Sequence, residues 1–182
     1  MERIVALVEG HTETHFVQAA YGNAIVQRPF ANGDSVSLDL IAEAIIEHLD
    51  TVSGSISKVL ILLDREGRDV SAADMRESLR TRIQPHCGKR SIYIGVSDRQ
   101  VENWILADVD HVRKRFNAPD FNYLGDGSPG KNALKRLAGG DASFRDKADW
   151  LKCSTASAAR VNSGSLDEFL QQIDFLWPWA MT

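Results

Sequence analysis

Two apolar runs that each end in carboxylate and glycine constrain the fold of this chain more than any other feature. The first is Val5-Ala6-Leu7-Val8-Glu9-Gly10, and the second is Val59-Leu60-Ile61-Leu62-Leu63-Asp64-Arg65-Glu66-Gly67. Continuous apolar runs without polar alternation have the composition of strands covered on both faces. In an open parallel sheet the C-terminal ends of such strands gather along one edge, where ligands bind. Glu9, Asp64 and Glu66 are therefore expected to converge, although far apart in the chain. Carboxylates crowded round a cleft repel one another unless a cation joins them, and hard oxygen donors suit Mg²⁺ or Mn²⁺.

The surrounding pattern agrees with such a sheet. Strands are expected at 4–8, 24–26, 58–63 and 91–96. Between them lie a helix at 12–21, a second from Ser35 or Ser37 to about residue 49, and a third from Ser71 to Ile83. Serine and threonine before each apolar stripe supply the caps, while Pro29, the Asn32-Gly33-Asp34 turn, Pro85 and Gly88 punctuate the elements. Alternating strands and helices predict an α/β fold, a mainly parallel sheet of about four strands flanked by helices on both faces. Past Val96 the pattern turns helical, with segments expected at 100–107, 109–115, 132–137, 144–152, 155–161 and 165–176 and a loop at 117–130. Residues 1–108 thus read as the core, and 109–182 as a helical extension packed on it in a single structural unit.

Bulk properties narrow the class. A chain of 182 residues with 43% hydrophobic and 25% charged residues suits one domain with a sizeable core. No apolar run approaches the roughly 20 residues that cross a bilayer, so no membrane association is expected. Met1-Glu2-Arg3-Ile4-Val5 leads straight into a strand, without the regions of a signal peptide. Cys87 and Cys153 are too few for a disulfide framework or a cysteine-based zinc site. These features suit a reduced, cytoplasmic setting. The net charge of −4 is wrong for a protein that coats nucleic acid. It leaves room for a nuclease, in which bound metal and a local basic face attract phosphate.

The motifs also carry a resemblance. Val8-Glu9-Gly10-His11-Thr12-Glu13 resembles the glutamate motif of the Toprim superfamily. Leu63-Asp64-Arg65-Glu66-Gly67 is similar to its Asp-x-Asp motif, with glutamate in the second position. Gln100-Val101-Glu102-Asn103-Trp104-Ile105-Leu106-Ala107-Asp108 resembles a segment of a small prokaryotic Toprim-like family of unknown function, as do Ser128-Pro129-Gly130-Lys131 and Asn162-Ser163-Gly164-Ser165-Leu166. The resemblance spans roughly residues 3 to 175 and implies a Toprim-like, Rossmann-like core. It implies Glu9, Asp64 and Glu66 as metal-holding and catalytic residues; Glu102 is a further metal-ligand candidate because it lies in the helix that follows the fourth strand, toward the same edge. Proteins of that family are often encoded beside ATPases of AAA or ABC type, and related Toprim proteins act in phage defence.

Other signals are weaker. Glu102 reads equally well as an acid favoured at a helix N-terminus. Asp69 and Asp98 fit ordinary turns, Glu13 fits a first-turn capping role better than a place facing the cleft, and Trp104 fits the core. Gly125-Asp126-Gly127-Ser128-Pro129-Gly130-Lys131-Asn132 imitates a phosphate-binding loop, but Asn132 stands where a hydroxyl is needed. Lys131 remains a candidate for touching a substrate phosphate. His11 and His15 share a helical spacing without a third zinc ligand nearby, and His11 is the better candidate for contacting substrate. The basic clusters around Arg76–Arg90, Arg113–Arg115 and Lys131–Arg136 read as solvated faces that would track a phosphate backbone if they bordered the cleft. Phe175-Leu176-Trp177-Pro178-Trp179 is expected to fold back onto the core.

Three functions stay open on this reading. The first is metal-dependent phosphodiester hydrolysis. The second is a non-catalytic Toprim-like subunit that binds an ATPase partner or nucleic acid. The third is hydrolysis of small phosphomonoesters or nucleotides.

Overall fold

The computed structural model describes residues 3–30, 33 and 35–182. Two members of the expected Asn32-Gly33-Asp34 turn, Asn32 and Asp34, lie outside the described residues, as do Met1 and Glu2. Four strands, β1 (Ile4–Val8), β2 (Ala24–Gln27), β3 (Lys58–Asp64) and β4 (Ser91–Ser97), form a parallel sheet in the order β2-β1-β3-β4. Helices α1 (His11–Ala20), α2 (Leu38–Thr51) and α3 (Ala72–Ile83) connect them. The α/β reading of the sequence is thereby realised.

Alternation of side chains sorts each strand between two cores. Val5, Leu7, Val59, Ile61, Leu63, Ile94 and Val96 face α2 and α3, meeting Ile41, Ile45, Leu49, Met75 and Leu79. Ile4, Ala6, Val8, Leu60, Leu62 and Tyr93 face the other way, toward Phe16 and Val17 of α1 and the C-terminal helices. Both central strands are covered on both sides, which is why their sequences lack polar alternation. Ser37 and Ser71 accept from the backbone N–H groups of Leu40 and Asp74, capping α2 and α3; Ser35 does not cap.

The chain then builds α4 (Glu102–Ala107), α5 (Val109–Phe116), α6 (Gly130–Leu137), α7 (Phe144–Cys153), α8 (Ala156–Asn162) and α9 (Gly164–Leu170). These helices share one apolar cluster with α1 and one face of the sheet. Gly95 on β4 permits the approach of α9. A Cβ there would lie 2.7 Å from Leu62 Cδ2 and 2.9 Å from Phe169 Cδ2. Gly95→Val is expected to lower stability by about 1–3 kcal/mol through overpacking, measured by chemical denaturation; an unchanged midpoint would mean that α9 can move away freely.

The helix expected at 165–176 ends early, at Leu170. Its continuation is diverted because Gln172 serves the sheet. Its side-chain Nε2 donates to Ile94 O at 2.9 Å, and its Oε1 accepts from Ile94 N–H at 3.1 Å. β4 is an edge strand, and this amide occupies backbone groups that another chain could otherwise pair with. The diverted segment carries the aromatic residues under the sheet as expected. Trp177 is fully buried and donates to Ala20 O, and Trp179 donates to Leu151 O. Phe16 packs edge-on against Trp179 with centroids 4.8 Å apart. Trp104 is core, stacked on Phe169 at 5.5 Å.

Candidate functional site

The strand order places a reversal between β1 and β3, because β1 connects outward to β2 while β3 connects the opposite way to β4. At such a point the two connections leave in opposite directions and open a crevice beyond the strand ends. Glu9 follows β1 and Asp64 ends β3, so both carboxylates sit at this crevice. Their elements are stitched together directly. Asp64 N–H donates to Glu9 Oε2 at 2.8 Å, and Gly33 N–H donates to Glu9 Oε1 at 3.1 Å. Asp64 Oδ1 accepts from Ser97 Oγ at 2.5 Å and from Val101 N–H at 2.9 Å.

A cleft of about 210 Å³ is lined by Glu9, His11, Glu13, Asp64, Glu66, Glu102, Lys131, Phe144 and Lys147, among others. Every site residue expected from the sequence is therefore brought to one place. Glu13, for which the capping role was the preferred reading over a cleft-facing one, is there as well, and Phe144 and Lys147 were not anticipated. Glu13 keeps the capping role expected of it, since its carboxylate sits against the Gly10 backbone so tightly that a Cβ on Gly10 would collide with it. It also turns its buried carboxyl into the cleft. Its spacing of four residues from Glu9 was the available signal. Phe144 and Lys147 lie on α7, whose docking against α1 no local pattern in the sequence announces.

Electrostatics show what this crowding does. Burial raises the Glu9 carboxyl, against opposing hydrogen bonds from Asp64 and Gly33 and the charge of Arg68. Burial raises Glu13 to about 7, assisted by repulsion from Glu102 and Glu9. Asp64 is raised well above the usual range, first by burial and then by repulsion from Glu13 and Glu102. Carboxylates this close share too much negative charge, and protons take up the excess. Lys147 offsets part of it. Its Nζ lies 2.7 Å from Glu102 Oε1, both groups being buried. The dipole role weighed for Glu102 is thus joined by an ion pair.

Glu66 adds strain. Its φ of 56° is left-handed, uncommon for a residue with a Cβ, and its N–H donates to Arg99 O at 2.8 Å. Replacing Glu66→Gly is expected to raise stability by about 0.5–1 kcal/mol, the relief of left-handed strain less the backbone entropy that glycine adds to the unfolded chain, while weakening Mn²⁺ binding. Thermal unfolding and calorimetry measure the two effects, and a lower melting temperature in the glycine variant would contradict the strain.

The phosphate-loop imitation is explained by packing. Asn103 is fully buried and its Nδ2 shares its two N–H groups among Asp98 O and Ser128 O, at 3.0 Å each, and Asp126 O. Gly130 lies so close over Asn103 that a Cβ would clash with its Oδ1. The first free N–H of α6, that of Lys131, is taken by Gln100 Oε1 at 3.1 Å. Here glycine permits contact with asparagine. Of the weaker candidates, Asp98 pairs with Arg65, and Asp69 and His15 are not among the cleft-lining residues.

The fit to a metal ion follows from the donor set. Five carboxylates face one cleft, chemistry that suits a hard divalent cation. Among the described residues no three His, Cys, Asp or Glu side chains form a ready coordination group. A Mg²⁺ or Mn²⁺ ion in such a cleft would have to keep several waters and use few direct carboxylates, as Mg²⁺ commonly does. No helix among the described residues is long and apolar enough to cross a membrane. The chain matches no family model, no curated protein and no solved structure.

Proposed function

We propose that the chain is a metal-dependent phosphodiester hydrolase whose centre is the carboxylate cleft beyond β1 and β3. The observation that carries this reading is the joining of Glu9 and Asp64 across the strand-order reversal, with Glu13, Glu66 and Glu102 around them. Glu9, Asp64 and Glu66 would hold Mg²⁺ or Mn²⁺, with Glu102 and Glu13 completing the anionic wall. When bound, such an ion neutralises phosphate charge and acidifies the attacking water. The protein's own groups bind and orient. Lys147 places its ammonium beside a carboxylate and Lys131 lines the same cleft, where a phosphodiester would lie. Lys147 is held in position by Glu102. His11 stands at the rim, with Arg28 Nη1 2.8 Å from its Nε2. The Toprim resemblance, a role in phage defence and an AAA- or ABC-type ATPase partner are consistent with this reading.

One observation favours the non-catalytic alternative. Both oxygens of Glu9 already accept backbone hydrogen bonds, so Glu9 also serves to close the fold at this edge. Incubation of the purified protein with DNA and RNA in Mn²⁺ separates the two. Cleavage that Asp64→Asn abolishes supports the hydrolase. Binding without turnover supports a subunit that presents nucleic acid to a partner. Turnover confined to nucleotides or phosphomonoesters would assign the cleft to small substrates instead.

A further inference from the structure

α7 contributes more than a charge to the cleft. Phe144, its first residue, is half exposed and lines the cavity. Its ring lies against that of His11, with centroids 5.0 Å apart and an interplanar angle of 30°. Lys147, one turn along the same helix, holds its Nζ 5.8 Å from the Phe144 centroid. The same ammonium reaches Glu102, so aromatic surface, fixed positive charge and carboxylates adjoin within one cleft. The aromatic side chains that fold back from the C-terminus, by contrast, are buried.

A phosphate makes no use of an aromatic face, but a nucleobase does. Stacking of bases on aromatic side chains tolerates any sequence, because every base has a π-face, and it needs a base not already stacked in a duplex. We infer that Phe144 and His11 form a base-stacking platform that selects phosphodiesters carrying an unpaired base. The inference rests on the phosphodiester reading above and names the substrate class, single-stranded nucleic acid, with the shared chemistry of DNA and RNA. Phe144 is a specificity-determining residue in this account, and the lysines and carboxylates act on the phosphate beside it.

The experiment measures binding of fluorescent oligo-dT, oligo-U, a blunt duplex and an abasic oligonucleotide to the full chain, in Ca²⁺. Wild type, Phe144→Leu and Phe144→Trp are compared, with calorimetric Mn²⁺ binding measured on each. Leucine keeps apolar volume and removes the π-face; tryptophan keeps both. Phe144→Leu is expected to weaken oligo-dT or oligo-U binding by roughly 5- to 100-fold, leaving the abasic strand unchanged. Phe144→Trp is expected to restore wild-type affinity. Either nucleic acid supports the platform, and the stronger of the two identifies the source. Equal binding of oligo-dT and oligo-U by wild type and Phe144→Leu would overturn it, as would an equal loss for the abasic strand or no oligonucleotide binding by wild type. The two proposals fail separately: base-independent binding with Mn²⁺ affinity intact removes only the platform, whereas base-dependent binding without any Mn²⁺ affinity removes only the metal-dependent hydrolase.

Discussion

Asp64→Asn is expected to eliminate Mn²⁺ binding and phosphodiester hydrolysis while leaving the fold intact. The amide preserves the Oδ1 acceptor that Ser97 and Val101 use, so β3, β4 and the start of α4 stay joined. It removes one negative charge from a group repelled by Glu13, Glu102 and Glu9. The loss in affinity or rate should exceed the roughly 10- to 100-fold typical of outer-sphere partners, because Asp64 would contact the ion. The metal-free variant should melt higher than wild type, since repulsion and the cost of burying charge both fall. Calorimetry with Mn²⁺, nuclease assays and thermal unfolding test these three effects on one protein. Unchanged Mn²⁺ affinity would remove the metal centre from the proposal.

Metal-free protein should lose stability as pH rises toward neutrality, and divalent metal should restore it. Glu13 is raised from its ordinary 4.5 to about 7, so the folded state keeps a proton that the unfolded state releases. Its contribution is complete below about pH 4.5 and is lost as pH rises through about 7. Over that window the loss is of order 3 kcal/mol from Glu13 alone. Glu9 and Asp64 act in the same direction, since burial raises both. His111 opposes them, because burial lowers it and its neutral form is favoured as pH rises. Comparing wild type with Glu13→Gln isolates the carboxylate, as glutamine cannot titrate. Unfolding midpoints measured from pH 4.5 to 8 should converge for the two proteins at the acid end and separate above it, with wild type lower. Mn²⁺ at about 100 times its dissociation constant would return about 2.7 kcal/mol to wild type at neutral pH. Parallel curves for the two proteins would show that Glu13 is not a strained proton carrier.

The site was legible to the extent that backbone topology creates it. Glu9 and Asp64 announced themselves because a carboxylate directly after a buried parallel strand has one place to be, the sheet's C-terminal edge. Glu66 came with Asp64 because only Arg65 separates them. Glu13 offered two readings, a first-turn backbone contact and a place in the cleft, and the structure joins them: its carboxylate meets the Gly10 backbone and also lines the cleft. Lys147 and Phe144 gave no signal, since they come from a helix more than forty residues beyond the last strand. The glycine loop before Lys131 gave a misleading one, because close approach to Asn103 and close approach to a phosphate both demand glycine.

Local grammar thus determined the strands, the serine caps of α2 and α3, the parallel sheet and the pairing of acids with strand ends, all of which depend on short-range periodicity and on burial of both sheet faces; Thr12, expected to cap the first helix, lies inside α1, which starts from Gly10 without a side-chain cap. Tertiary structure decided the rest. The docking of α7 against α1 brings Lys147 to Glu102 and Phe144 to His11, and the turn at Gln172 exchanges helical continuation for hydrogen bonds to the edge of β4. Those outcomes come from groups distant in the chain competing for the same buried volume and the same backbone donors, a competition that no local window of sequence contains.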